Sequence, residues 1–273
     1  MKHRLICAAG ALALAGLAAP SHAAFVSLPS TGTIMQVCGD SGTGNSTSVA
    51  CGAGSVSTAT SGFSLLTSTT RTLTAGTTTV GSLSDRVYGN GAGTYIFGMR
   101  LDMNASVWDS TGLAFEVNDA FRSGFAGAAS VQGGYSKVDI TGPVTDEYAR
   151  SIGRSAEGMN EPGIGTYDAD WVRFETDVNV DDPDGSSPGT SAWYWVKITG
   201  ANGWTTAEEA IRLWEGGEED QTQYSIYVTG YVPTYASARL AASTLAPVPE
   251  PSEYAMFLAG LGVLGFAARR RMR

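Results

Sequence analysis

The alternation of large apolar side chains with other residues is the feature that most constrains how this chain folds. Between Tyr95 and Met103, an aromatic or aliphatic side chain occupies every odd-numbered position. Successive side chains of a strand point to opposite faces of a sheet, so a period of two is typical of a strand with one buried face. The sequence therefore predicts a half-buried strand at this position.

The same period recurs later in the chain, with turn-forming residues between the repeats. It is found at residues 113–117, 172–180, 193–198 and 226–232. One helix is expected after Thr206, which forms a capping box with Glu209 and precedes an apolar stretch that stops at Gly216. Several short strands with one short helix predict an all-β fold, an antiparallel β-sandwich or jelly-roll.

Composition divides the chain into segments. Residues 24–94 are rich in Gly, Ser and Thr and poor in large apolar residues, so irregular or weakly paired edge strands are expected there. Residues 95–232 contain the alternating strands and are expected to form the core of the sandwich. Residues 233–247 are interpreted as a linker that leads to the C-terminal segment.

The first 23 residues have the composition of a secretory signal peptide. Lys2 and Arg4 precede an apolar stretch over residues 5–19, which is expected to be helical, and small residues lead up to Ala23. This order predicts recognition by the Sec export machinery and cleavage between Ala23 and Ala24.

The cysteines point to one disulfide. Cys7 lies in the predicted signal peptide and is removed with it, which leaves Cys38 and Cys51. Because an exported chain reaches an oxidising compartment, these two are predicted to pair and to close a loop rich in Gly, Ser and Thr.

The C-terminal segment is first apolar and then basic. Residues 254–268 carry no charge and as a helix reach about 22 Å, which is less than the roughly 30 Å of bilayer hydrocarbon. The arginines that follow are Arg269, Arg270, Arg271 and Arg273. Because positive charge stays on the cytoplasmic side of a membrane, these arginines orient the rest of the chain outward.

Residues 248–273 resemble the PEP-CTERM sorting signal. The resemblance rests on Pro249, Glu250 and Pro251, followed by the apolar helix and then the arginine cluster. In that family, which occurs on exported proteins of Gram-negative bacteria that make exopolysaccharide, the membrane protease exosortase recognises the Pro-Glu-Pro segment and processes the protein near it. The resemblance implies exosortase as a partner and a transient or permanent membrane anchor. It also implies a final location in the cell envelope or outside the cell, in an exopolysaccharide or biofilm setting.

Charge and composition exclude several functions. The formal net charge is −9, whereas nucleic-acid binding requires a basic surface. Both histidines, His3 and His22, lie in the predicted signal peptide, so the exported protein has no histidine for a catalytic triad or a metal site. No residue is assigned a catalytic role, and the one cofactor considered is a calcium ion.

The candidate calcium site is an acidic turn. Asp181, Asp182 and Asp184 supply the oxygen ligands that Ca²⁺ prefers and lie close together in sequence. The alternative is an ordinary Asp/Pro/Gly turn whose acids are solvated, which requires no metal.

A second acidic feature is the pair Glu175 and Asp177. Their positions two apart on one strand place the Cβ atoms near 7 Å, which overlaps the separation of glycosidase acid pairs. The alternative is a pair of solvent-facing acids neutralised by Arg173. We expect no catalysis here.

The tryptophans Trp193 and Trp195 are the candidate ligand platform. They project from the same face of a predicted strand, and an exposed pair forms a flat aromatic surface that stacks on sugar rings. The other interpretation, which we favour, is that both rings pack in the core or at an edge, although Tyr194, Val196 and Ile198 on the opposite face compete for the inside position.

Together these features favour an exported, non-catalytic protein with a structural or adhesive role. A carbohydrate-binding module is the alternative, which the tryptophan pair and the acidic turn would serve. A carboxylate-based glycan hydrolase is a third hypothesis, and it requires a deep cleft with close acids. No family is recognised for the middle of the chain, so these hypotheses rest on chemistry and targeting alone.

Overall fold

The alternating segments form two antiparallel sheets in the computed structural model, which describes residues 25–28, 35–38, 51–52, 55–136, 146–180, 188–217 and 220–236. The predicted signal peptide and sorting segment lie outside these residues, as do the three aspartates of the candidate calcium site. The elements are β1 Val26–Ser27, β2 Met35–Val37, α1 Val56–Ala59, β3 Ser64–Ala75, β4 Thr78–Gly89, β5 Thr94–Met103, β6 Val117–Arg122, β7 Ser130–Ser136, β8 Ser151–Gly153, β9 Val172–Val178, β10 Trp193–Thr199, β11 Gly203–Glu215 and β12 Tyr224–Thr234.

The strands pack as a sandwich of two six-stranded sheets. Sheet A has the order β1-β7-β10-β5-β4-β3, and sheet B has the order β12-β11-β6-β9-β8-β2. The main core lies between them and is built from alternate residues of the central strands, including Phe97, Met99 and Leu101 of β5 and Phe174 of β9. These strands belong to one compact unit that ends at Tyr235. The predicted all-β class is therefore confirmed, and period-two alternation correctly located β5, β9, β10 and β12.

The helix predicted after Thr206 is wrong, because that segment is strand β11. It pairs with β12 on one side and with β6 on the other, and a register shift between Ala207 and Ile211 marks a bulge. Glu209 sits in this bulge with a φ of 53°, a conformation that side chains rarely adopt. Hairpin pairing over the whole length of β12 outweighs the local capping preference of Thr206 and Glu209. The helix in the described residues is the single turn α1, whose Ser55 N-cap accepts from the Thr58 N–H.

The Gly/Ser/Thr-rich segment contributes two long strands to the sandwich. β3 and β4 form a hairpin, and β4 pairs with β5 along nine positions, from Gly81↔Met103 to Gly89↔Tyr95. Leu73, Val80, Leu83 and Val87 of this hairpin are buried in the main core. The expectation of weak pairing is therefore wrong for residues 64–89, and the boundary expected at residue 95 falls inside sheet A. Threonine explains the result, because its β-branched side chain favours strands without being strongly apolar.

The sheets end on two opposite sides of the sandwich. On one side lie the short strands β1 and β2, and on the other lie the long edge strands β3 and β12. We call these the disulfide side and the groove side, for the features described next. The linker predicted from residue 233 overlaps the end of β12, where Pro233 pairs with Trp204.

The predicted disulfide between Cys38 and Cys51 is present and closes the disulfide side. Both half-cystines are fully buried. The Cys51 carbonyl accepts from the Tyr135 N–H of β7 at 3.0 Å, and the Cys38 N–H donates to the Arg150 carbonyl beside β8 at 2.9 Å. The bridge therefore joins a strand of sheet A to the chain next to a strand of sheet B.

Candidate functional site

The tryptophan pair is buried, so the exposed platform is ruled out as a ligand surface. Trp193 and Trp195 are 4% and 0% exposed, and their rings stack on each other at 5.2 Å. The Arg86 guanidinium covers the Trp193 ring at 4.3 Å, and the Trp195 indole N–H donates to Ser136 Oγ at 2.9 Å. A Cβ at position 98 would lie 2.0 Å from the Trp195 ring, so Gly98 is required for this packing.

The burial of both faces of β10 follows from its position in the sheet. β10 lies between β7 and β5, and its other face, with Tyr194, Val196 and Ile198, belongs to the main core. The chain around α1 covers the tryptophan face and forms a second apolar cluster there, in which Val56 and Phe63 pack against the rings. Both tryptophan rings therefore pack in the interior of the protein.

The acids Glu175 and Asp177 both lie on the outer face of sheet B, but they bind different partners. Asp177 forms an ion pair with Arg150, and Glu175 accepts from the Ser151 hydroxyl. Arg173, the expected partner of both, pairs with Asp119 of β6 instead. Each acid therefore has a contact that holds it on the sheet.

Asp119 is a buried acid that the sequence did not single out. Its side chain is fully buried beneath the chain at Gly158–Glu161, where its Oδ2 accepts from the Met159 N–H at 2.6 Å. Burial raises the pKa of Asp119 to about 6, in spite of the opposing charge of Arg173. The sequence gives no sign of this, because the burial depends on a loop whose path is set by tertiary contacts.

The covering loop is fixed to sheet B through two residues of β11. Arg212 donates to the Ala156 carbonyl at 2.8 Å and forms an ion pair with Glu161. The Trp214 indole N–H donates to the Met159 carbonyl at 2.7 Å. Charged and aromatic groups on this face are thus occupied in holding the loop.

An ion pair lies inside the sandwich, between the two sheets. Asp85 of β4 and Arg122 of β6 are 0% and 1% exposed in their side chains. Arg122 also donates to the Tyr231 carbonyl at 2.8 Å, and the Tyr231 N–H donates to Asp85 Oδ2 at 2.9 Å. Three strands, β4, β6 and β12, are joined by this arrangement near the groove side.

A groove of about 510 Å³ opens between the edge strands β3 and β12. We call it the edge groove; it is lined by Thr70, Arg71, Thr72, Thr74, Ile226, Tyr227, Val228 and Thr229. Two hydrogen bonds cross between the strands beyond its ends, from the Thr67 hydroxyl to the Tyr231 hydroxyl at 2.9 Å and from the Gly76 N–H to the Tyr224 hydroxyl at 3.2 Å. It is a polar, open recess that sequence reasoning did not identify, because its walls lie far apart in sequence.

The described residues can be searched for metal sites and for membrane-spanning helices. Within them, no three His, Cys, Asp or Glu side chains are grouped so as to hold a metal ion. The calcium site at Asp181, Asp182 and Asp184 lies outside those residues and stays a prediction. Among the helices of the described part of the chain, none has the length and apolar character needed to cross a membrane.

Comparison with known proteins adds one finding, at the C-terminus. Neither a curated protein sequence nor a solved structure matches the chain. Residues 247–271 match the family model described as the PEP-CTERM protein-sorting motif, in agreement with the resemblance seen in the sequence. The chain therefore carries a PEP-CTERM sorting motif, as expected of an exported protein that exosortase sorts.

Proposed function

We propose that this protein is a non-catalytic structural or adhesive component of the bacterial envelope or extracellular matrix. The observation that carries the proposal is the sorting motif at residues 247–271, which assigns the protein to an export and sorting route. The Sec machinery delivers the chain, and exosortase acts near Pro249, Glu250 and Pro251. The apolar segment 254–268 holds the chain in the membrane until that step.

The fold supports a structural role. A disulfide joins the two sheets, and ion pairs or hydrogen bonds occupy the acids of the candidate catalytic pair. A glycan hydrolase of the retaining or inverting type needs two carboxyl groups that face one substrate bond. Asp177 and Glu175 instead bind Arg150 and Ser151, which favours a role without turnover.

Intact-mass spectrometry of the membrane and medium fractions, from host cells with and without exosortase, tests the sorting step. We expect a mass that lacks residues 1–23 and the segment after Pro251 when exosortase is present, and an uncut membrane form when it is absent. Replacing Pro249 and Pro251 with alanine should mimic the loss of exosortase. The matched control is Thr244→Ala, just upstream of the motif. An uncut form in all strains would contradict the proposal.

A deletion strain tests the structural or adhesive role itself. Cells without the protein should aggregate less or attach less to a surface, and the wild-type gene should restore the behaviour. Unchanged aggregation and attachment would rule out the adhesive role while leaving the sorting route intact.

A further inference from the structure

We propose that the edge groove between β3 and β12 binds an acidic polysaccharide, with Arg71 pairing to a sugar carboxylate. The first observation is the state of Arg71. Eight arginines lie in the described part of the chain, and seven of them form an ion pair, a hydrogen bond or a ring contact there. Arg71 forms none within those residues. Its buried Nε has no hydrogen-bond partner among them, as is also true of Arg86, Arg122 and Arg154, but those three guanidinium groups have other contacts.

An unpaired guanidinium in a recess is a receptor for an anion. Its planar array of N–H donors matches a carboxylate in a bidentate geometry, and a buried donor without a partner carries a free-energy cost that a ligand removes. Arg71 is the one charged residue among the eight that line the edge groove. The groove is therefore locally basic in a chain whose net charge is −9.

The other lining residues suit a sugar. Thr70, Thr72 and Thr74 alternate with Arg71 along β3, so their exposed hydroxyl groups, which both donate and accept hydrogen bonds, border the edge groove on the outer face of sheet A. Tyr227 alternates with the buried Ile226 and Val228 and is 52% exposed, so its aromatic ring with a polar tip borders the edge groove on the outer face of sheet B. Hydroxyl groups, one aromatic ring and one cation are complementary to the hydroxyl groups, apolar ring faces and carboxylate of a uronic acid.

The ends of the edge groove argue for a short saccharide segment and against an added β-strand. A peptide that extends a sheet runs along most of an edge strand and pairs with its backbone. Here the bonds from Thr67 of β3 to Tyr231 and from Gly76, in the turn after β3, to Tyr224 tie the β3–β4 hairpin to β12 beyond both ends of the recess. The recess between them runs from Thr70 to Thr74, which is about 13 Å of strand. This length leaves room for a few sugar rings, whereas a paired strand would have to break both bonds.

Binding of defined saccharides to the purified full chain tests the proposal. The probe is an oligogalacturonate, and the neutral comparison is a cello-oligosaccharide of the same length, both followed by isothermal titration calorimetry. We expect binding of the acidic probe alone, weakened by added salt because the contact is ionic. Arg71→Gln should weaken binding at least about tenfold, and Tyr227→Ala should weaken it several-fold.

Two further variants separate geometry from charge. Arg71→Lys keeps the charge but loses the planar fork, so its affinity should lie between those of the wild type and Arg71→Gln. Lys197→Gln is the charge-matched control, because this substitution removes one positive charge away from the edge groove. Lys197 lies on the central strand β10 beside Phe25 and Phe63. The control variant should bind as the wild type does, and unchanged thermal unfolding should show that all variants are folded.

Several results would overturn the proposal. These are no binding of the oligogalacturonate, equal binding of the neutral probe, or equal loss in Arg71→Gln and Lys197→Gln. A strand-forming peptide that binds where the oligogalacturonate does not would make the edge groove a peptide site.

The inference rests on the proposed adhesive role only for its setting, so the two can fail separately. If deletion of the gene reduces adhesion but Arg71→Gln binds the probe normally, the role stands and the glycan site falls. If the probe binds through Arg71 but deletion leaves adhesion unchanged, the glycan site stands and the adhesive role falls.

Discussion

The two sides on which the sheets end are closed by different physical means. On the disulfide side, a covalent bond and short strands join sheets A and B through Cys38 and Cys51. On the groove side, two long edge strands face each other, and the contacts are polar: the Asp85–Arg122 ion pair with Tyr231, and the hydrogen bond from Thr67 to the same tyrosine. On the groove side, the edge groove lies between the hydrogen bonds made by Thr67 and Gly76.

The largest effect is expected from removing the acid on the groove side. Asp85→Leu leaves Arg122 buried without a counter-charge, and an arginine cannot lose its proton to relieve this. We expect a loss of about 3–5 kcal/mol in the free energy of unfolding, measured by urea denaturation.

The double variant Asp85→Leu with Arg122→Met is the control for this prediction. It replaces both charges by apolar side chains and should recover most of the lost stability. If Asp85→Leu alone costs less than about 1 kcal/mol, the ion pair does not hold the groove side together.

Removing the disulfide is the matching perturbation on the other side. Cys38 and Cys51 are 13 positions apart, and a closed loop of that size contributes about 3 kcal/mol. The double variant Cys38→Ala with Cys51→Ala should lose about this amount. Hydrogen exchange should become faster at the Tyr135 amide, which bonds to Cys51, but stay unchanged at the Tyr231 amide. Equal changes at both amides would show that the two sides are not independent.

Acidification is expected to act away from both sides, through Asp119 on the outer face of sheet B. Its pKa is raised from 3.8 to about 6, so the folded protein takes up this proton before the unfolded chain does. The resulting stability is fully present below about pH 3.8 and is lost as the pH rises through 6, a change of roughly 3 kcal/mol at most.

The comparison with Asp119→Asn isolates this contribution. The difference in unfolding free energy between the wild type and the variant should shift in favour of the wild type as the pH falls from 7 to 4. Other carboxylates are common to both proteins and cancel in the difference. A difference that does not vary with pH would mean that Asp119 keeps an ordinary pKa.

The smallest effect is expected at the hydrogen bond beside the edge groove. Tyr231→Phe removes the hydroxyl that accepts from Thr67 but keeps the ring, and it should cost about 1 kcal/mol. A double-mutant cycle with Thr67→Val measures the coupling between the two side chains. A coupling energy near zero would show that this bond does not help to set the spacing of β3 and β12.

The two sides also differ in how far the sequence reveals them. The pairing of Cys38 with Cys51 follows from cysteine count and export, and β5, β9, β10 and β12 follow from their alternation. The edge groove needs β3 and β12, and neither its threonine-rich wall nor Arg71 has a distinctive local pattern. The helix predicted at Thr206 is wrong because pairing with the distant strands β6 and β12 decides the structure there, and local sequence preferences do not include that pairing. Burial of the tryptophans, one of the two interpretations of the sequence, is likewise decided by a distant part of the chain, since the segment around α1 covers their face of β10.

The order of the strands has a consequence for the timing of folding. β1 and β2 come first in chain order, but their partners are β7 and β8, as in Val26↔Gly133 and Met35↔Gly153. The β3–β4 hairpin is local and can form at once, and so can the bridge between Cys38 and Cys51. Closing loops of such length makes the pairing of β1 and β2 a late event. The bridge can therefore form before β1 and β2 dock, so that the strands close the disulfide side with the covalent loop already in place.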